Sequence, residues 1–343
     1  MFKKYITIIA FVSIYSCTTD DPDTIQEPVA NIFNGDAELF TQQAVDDFGA
    51  MEYTEITGNL ILRSQFENPD PISSLSSLST IEVVGGDLRL SGLFDVPSLD
   101  GLQNLTSVSG VLALIVNSTI TSLDAFSNIN STIQSLEIIN FREIQSLQGL
   151  ENISIASGGD LIIEGNDKLA SLDAIQNGIP SMMGTIKFQE FILDCGPFID
   201  CGPTPPEPQP FTSLAFLSNV NEVDWLRLKG FQGSNLIGLE NITAVNRLSV
   251  WVNPNLTNLQ ELSAVNNNVL FLFVAENNQL ENLEGLENIP LVTAGFQAIA
   301  NPVLTDFCSV QNSITILLGE DVEILFNAYN PTQQDIIDGN CSE

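Results

Sequence analysis

The segment NPNLTNLQEL (253–262) is followed twenty-four residues later by NNQLENLEGL (277–286), and after the same interval by NPVLTDF from Asn301. The common pattern is L-x-[LIV]-x-x-N-x-x-L-x-x-L-x-x-L-x-N-I. The first apolar residue of each LxL-like run falls at Leu60, Leu88, Leu112, Leu136, Leu161, Ile186, Leu226, Leu248, Leu272 and Phe296, in steps of 22 to 28 residues apart from one of 40. A unit this short cannot bury its own apolar edge, so each must lean on its neighbours. The chain is therefore expected to be a repeat solenoid of about ten coils.

Within each unit the LxL alternation reads as a short strand, and stacking aligns these strands into one parallel sheet. The Asn five residues after the first Leu recurs at Asn117, Asn166, Asn253, Asn277 and Asn301. Asparagine tolerates tight backbone turns and bonds backbone groups, so this column is expected to satisfy amides that sheet pairing leaves open. Leucines at spacing three, as in Leu280, Leu283 and Leu286, turn inward along the return arm. A second Asn column (Asn104, Asn128, Asn152, Asn177, Asn219, Asn241, Asn288) lies in that arm.

The stretch SLDGLQNLTSVSGVLALIVN (98–117) resembles the leucine-rich repeat of receptor L domains, found in exported bacterial proteins and in growth-factor receptor ectodomains. The resemblance spans roughly residues 40–340 and implies a noncatalytic, leucine-rich-repeat, receptor-L-domain-like fold. The chain departs from it in SGLFDVP (91–97), where a coil lacks its Asn, and in a Pro-rich insertion at 189–211. Solenoid ends need covering. TQQAVDDFG (41–49) reads as a short helix with Thr41 as N-cap and Gly49 just past its end, lying over Leu60 and Leu62. The expected organisation is thus an N-terminal cap at 36–58, a solenoid at 59–305 and a C-terminal cap at 306–343, with NPTQQDII turning into a terminal helix.

The N-terminus, MFKKYITIIAFVSIYSC, has a basic start and an apolar run too short to span a membrane, as in a secretory signal peptide (1–16). SIYSC resembles the bacterial lipoprotein box, which implies lipidation at Cys17. The following CTTDDPD opens an acidic tether (17–35) and resembles the acid-rich export signal of surface lipoproteins in Bacteroidetes-type bacteria. The expected location is the outer membrane, lipid-anchored through Cys17 and facing outward. Four cysteines remain, and in an exported chain they are expected to form two disulfides. Three connectivities are open; the neighbour pairing Cys195–Cys201 and Cys308–Cys341 is favoured, because each pair lies within one irregular segment.

The charge balance excludes several functions. With 43 acidic residues against 10 basic, a net charge of −33 and no histidine, the chain should repel nucleic acid. It cannot run Ser-His-Asp or Cys-His chemistry, nor hold zinc through histidine. No cofactor and no metal site is expected. Carboxylate-pair chemistry survives this cut, with Glu137 and Glu164 on consecutive coils the nearest candidates for a carbohydrate-active enzyme.

Strand parity identifies the face that could bind. If Leu226 and Leu228 point inward, then Trp225, Arg227 and Lys229 point out, as do Arg247 and Trp251 on the next coil and Phe271 and Phe273 on the one after. Arg63, Arg89 and Lys187 have the same parity. Six of the eight basic residues after position 17 thus fall on one face, Arg142 and Lys168 being the others. Such residues stabilise a sheet through cross-strand pairs, but Trp and Arg are also the usual anchors of interfaces. The candidate ligand-binding set is Lys187, Trp225, Arg227, Lys229, Arg247, Trp251, Phe271 and Phe273. The expected function is a binding or adhesion protein that holds a protein or glycan. The alternatives are a structural surface protein without a specific ligand and, last, the enzyme.

Overall fold

The repeat dictates the architecture through one register. In the computed structural model, which describes residues 30–64, 68–189 and 210–343, each LxL run is a strand and its first leucine lies beside the corresponding residue of the next coil. The strands are β1 (Ala37–Leu39), β2 (Leu60–Arg63), β3 (Leu88–Ser91), β4 (Val111–Asn117), β5 (Ser135–Phe141), β6 (Leu161–Glu164), β7 (Met182–Gln189), β8 (Glu222–Lys229), β9 (Ala244–Trp251), β10 (Val269–Ala275), β11 (Val292–Ile299) and β12 (Val322–Leu325). They form a twelve-stranded parallel sheet in chain order, but not the single sheet expected from the repeat: short strands in the return arms pair across coils into a four-stranded sheet (Ile32–Phe33, Glu55–Ile56, Val83–Val84, Ser107–Val108) and a two-stranded one (Thr132–Ile133, Ser154–Ile155). Leu60 pairs with Leu88, Leu88 with Leu112, and so on to Phe296 and Val322.

The sheet extends one strand beyond the ten-unit reading at each end. β1 and β12 are the runs AEL and VEIL, which lie inside the segments read from sequence as caps. Their units lack the full leucine spacing, which hid them. The insertion is also narrower than 189–211. Gln189 still pairs with Glu164, and Phe211 is buried with its ring 5.2 Å from Phe188. The Cys195–Cys201 pairing, Cys17 and residues 17–29 of the acidic tether lie outside the described residues, whereas the end of the segment read as tether belongs to the fold: Ile32–Phe33 is a short strand paired with Glu55–Ile56.

Between strands, each return arm carries its leucines inward. Leu256, Leu259 and Leu262 are fully buried, as are Leu280, Leu283 and Leu286. Single 3-10 turns, such as Asp124–Phe126, Gln260–Leu262 and Cys308–Val310, carry most return arms. In the first coil an α-helix, α1 (Gln42–Gly49), does so. It is N-capped by Thr41, whose side chain accepts from the Ala44 N–H, and it packs beside Ser76–Leu78 and β1. Gly49 is its last helical residue rather than the residue after it, and a Cβ there would meet the Ser77 carbonyl oxygen at 2.2 Å.

Two asparagine columns bind the coils together. At the end of most strands the fourth residue after the first apolar one has positive φ, as at Val116, Asn140, Val252, Glu276, Ala300 and Phe326. This bend aims the next backbone N–H along the stack, where the neighbouring Asn receives it. Asn253 N and Nδ2 both donate to Asn277 Oδ1 (3.1 and 3.0 Å), Asn277 does the same to Asn301 (3.0 and 3.1 Å), and Asn301 to Asn327 (3.0 and 2.9 Å). Each Nδ2 also donates to a strand carbonyl, that of Leu228, Val250, Val274 or Ala298 in turn. In the return arm, Asn104, Asn128, Asn152, Asn241 and Asn288 each donate to a carbonyl of the preceding coil. The first column is buried and fully engaged, which makes it scaffold rather than binding surface.

At the far end Cys308 and Cys341 are disulfide-bonded across 33 residues. Helix α2 (Gln333–Ile337) begins in a capping box in which Thr332 and Asp335 bond reciprocally. Chain-entropy arithmetic for a loop of this length gives about 3–4 kcal/mol of stabilisation. Cys341→Ser is expected to lower the unfolding free energy by that amount, as read by urea denaturation. An unchanged midpoint would show that the reduced end is already ordered. Among the described residues no helix is long and apolar enough to cross a membrane.

Candidate ligand-binding face

The alternation of EVDWLRLK, AVNRLSVW and VLFLFVA sends Leu226, Leu228, Leu248, Val250, Leu272 and Val274 inward, all essentially buried. The opposite parity builds the outer face. Register puts Trp225 beside Arg247 and Arg247 beside Phe271; the next row runs Arg227, Ser249, Phe273, and the third Lys229, Trp251, Ala275. Adjacent strands lie about 4.8 Å apart, so these side chains must pack on one another.

Trp225 is the centre of the cluster. The Arg227 guanidinium lies 4.4 Å and that of Arg247 4.5 Å from its ring, and Arg227 also reaches to 5.5 Å from the Trp251 ring. Trp225 Nε1 donates to Ser249 Oγ at 3.3 Å. Ser249 is buried because larger neighbours close over it; its small side chain leaves the space the indole uses. Trp251 meets Phe273 edge-on at 5.9 Å, and Phe273 stacks on Phe271 at 6.5 Å and 14°. Phe271 extends over Gly295, where a Cβ would come within 2.9 Å of the ring. Sequence parity places Ser249 outward but does not reveal its burial. Nothing in the repeat singles out Gly295.

The cations on the face differ in how far they are engaged. Arg89 pairs with Asp87 (3.0 Å) and Glu137 (3.4 Å), and Lys187 with Glu164 (2.6 Å). Glu137 and Glu164, the candidate catalytic carboxylates, are thus each held by a cation. Arg63 lies over the Phe40 ring, far along the sheet. Lys229, read from sequence as an exposed contact residue, is only 5% exposed. It lies at the strand end where the chain turns inward, with Nζ 5.8 Å from the Trp251 ring. A ligand on the sheet face meets Arg227 and Arg247 before it meets Lys229. Arg142 and Lys168 pair with Asp167 and Glu143, off this face.

Arg227 is the most distinctive cation. Its Nε is buried and finds no hydrogen-bond partner among the described residues. Burial lowers its pKa from the usual value, with the Glu164 carboxylate working in the opposite direction; a guanidinium remains charged regardless. A desolvated charge over two indoles has a stronger cation–π attraction than an exposed one. Arg247 is held by the Asp224 carboxylate, whose other oxygen accepts from Asn246 Nδ2 at 3.0 Å. These hydrogen bonds, from Asn246 first and then Arg247, hold the Asp224 carboxyl below its usual 3.8. A depressed carboxyl pKa adds stability above the unfolded-state value and loses it as pH falls through the folded one. Arg247 should therefore stay tethered at neutral pH and come free only in acid below 3.8. NMR titration of the Asp224 carboxyl checks this; a midpoint at or above 3.8 would refute it.

Beside this cluster a groove of about 270 Å³ runs between Met182, Gly184, Glu222, Asp224 and Asn246. Among the described residues no group of His, Cys, Asp or Glu is arranged to hold a metal.

Residues 54–178 match the family model of the receptor L domain. The matched receptor L segment contains β2 to β6 and ends before β7. The Trp225 cluster lies on the later coils, which continue the same sheet. A solved internalin from Listeria monocytogenes is similar in structure, with a TM-score of 0.45 and 14% identity over 83% of this chain and 71% of its own. No curated protein matches.

Proposed function

We propose that this protein is a noncatalytic binding module, anchored by lipid at Cys17 on the outer membrane and facing outward, which holds a protein or glycan against the sheet face around Trp225. The observation that carries this reading is the cluster itself. Trp225 and Trp251, the only tryptophans of the chain, lie beside Arg227 and Arg247 on a rigid sheet, together with Phe271 and Phe273. Cross-strand stabilisation accounts for Arg89 and Lys187, which are spent on carboxylates. It accounts poorly for Arg227, whose Nε has no hydrogen-bond partner among the described residues. Half-buried rings on a fixed backbone lose little entropy on binding, and aromatic and Arg side chains dominate interface energetics. The contact set is accordingly Trp225, Arg227, Arg247, Trp251, Phe271 and Phe273, with Lys187 and Lys229 behind it.

The test is a glycan-array and affinity-capture screen with the parent chain and with Trp225→Ala/Arg247→Ala/Trp251→Ala. Every ligand of the sheet face should bind the variant at least 100-fold more weakly, while thermal unfolding shows it folded. Ligands retained at full strength by a folded variant would remove this face from the account. Protease treatment of intact cells tests the location. Loss of the protein from the surface is expected, and complete protection would place it on the inner side.

A further inference from the structure

The last strand of the sheet is open. β12 pairs with β11 on one side, and the Leu325 carbonyl accepts from the Ala300 N–H at 2.8 Å. Bonding residues alternate along a parallel strand. The N–H and C=O of Ile324 therefore point away from β11, and no hydrogen bond among the described residues takes them up. A groove of about 420 Å³ runs along this edge, between Val322, Ile324 and Leu325 on one side and Pro331, Thr332 and Gln333 on the other. Val322 and Ile324 are half-buried against the core, and Leu325 is exposed. Of the eleven exposed large apolar side chains among the described residues, five (Val303, Ile316, Leu318, Leu325 and Phe326) belong to this end of the chain.

Charge selects the occupant. From residue 248 onward the sequence holds twelve Asp and Glu and no Lys or Arg. A second copy docking edge to edge would bring like charges together. We propose that the free edge of β12 and its groove form a second docking site, which takes an extended segment of another protein, alternating apolar and basic residues, as a thirteenth strand. Alternation along such a strand turns its apolar side chains toward Val322 and Ile324 and its basic ones toward Glu323 and Asp321. Backbone pairing supplies the geometry, and the acidic end selects the partner and speeds encounter. This site stands independently of the sheet-face reading.

The test uses the full chain and a labelled peptide of alternating lysine and valine. The peptide should bind saturably and slow hydrogen exchange of the Ile324 amide at least 10-fold. A glutamate–valine peptide, and a lysine–valine peptide methylated at its backbone nitrogens, should bind at least 10-fold more weakly. Ile324→Pro removes the edge N–H without touching the bonds to β11 and should weaken binding 10-fold or more. Asp321→Lys/Glu323→Lys, which leaves the backbone intact, should do so as well, so the conclusion holds even if the proline variant melts early. Full-strength binding by a folded Ile324→Pro, no protection at Ile324, or binding lost through Trp225→Ala would each overturn the proposal. So would self-association of the parent chain through this edge, seen by sedimentation and abolished by Ile324→Pro.

Discussion

Replacing Asn277 with alanine is expected to lower the unfolding free energy by about 3–5 kcal/mol. The side chain is fully buried. Its Oδ1 accepts from the backbone N–H and the side-chain amide of Asn253, and its Nδ2 donates to the Val250 carbonyl and to Asn301 Oδ1. Alanine leaves the Asn253 N–H unpaired in the interior, at a cost of about 1–3 kcal/mol, and each of the other bonds lost, among them the side-chain donation to the Val250 carbonyl, adds about 0.5–1.5 kcal/mol. The Asn253 and Asn301 side chains also lose their shared partner. Its neighbours Asn253 and Asn301 are equally buried, so the group left unpaired does not face bulk solvent. Asn288→Ala is the control. That side chain is exposed and makes one bond, to the Ser263 carbonyl at 2.8 Å, so its loss should cost less than about 1 kcal/mol. Urea unfolding of the two variants should separate them clearly. Equal midpoints would mean that the buried ladder contributes no more than a surface hydrogen bond.

Gly285→Ala should cost about 2–5 kcal/mol. Gly285 has φ of +108°, and a Cβ there would lie 1.9 Å from the Leu259 carbonyl oxygen of the preceding coil. A side chain in a left-handed conformation costs about 1–2 kcal/mol, and the backbone displacement that relieves the clash adds about 1–3 kcal/mol. The same turn recurs at Gly101, Gly149 and Gly238, with φ of 103–112°. At Gly149, Gly238 and Gly285 the glycine N–H donates to the glutamate carboxylate two residues on. Each of these glycines sets the distance between coils, so the substitution should also loosen its neighbours. Hydrogen exchange in Gln260–Leu262 should quicken along with the fall in stability. A fully stable Gly285→Ala would show that the coil spacing can yield at that point.

The repeat register was legible because it is written in the leucines and asparagines themselves. Counting from Asn253 correctly aligns Trp225, Arg247 and Phe271 in one row. The two terminal strands escaped notice because AEL and VEIL carry no downstream leucine spacing, although Asn327 still lies five residues after Val322 and extends the Asn ladder. What parity could not convey is depth. It makes Lys229 and Ser249 outward residues like Arg227, yet both are buried, one by the turn at the strand end and the other beneath the rings around it. Nor could it distinguish the cations neutralised by carboxylates from those packed on indoles. That depends on long side chains reaching across strands, as Arg89 does to Glu137.

Intrinsic fluorescence tests the central claim most directly, because the only two tryptophans of the chain, Trp225 and Trp251, both belong to the cluster. A ligand of the sheet face, titrated into the parent chain, should shift or quench this emission saturably, with the same midpoint as binding measured by calorimetry. Calorimetric binding that leaves the emission unchanged would place the ligand elsewhere and contradict the account.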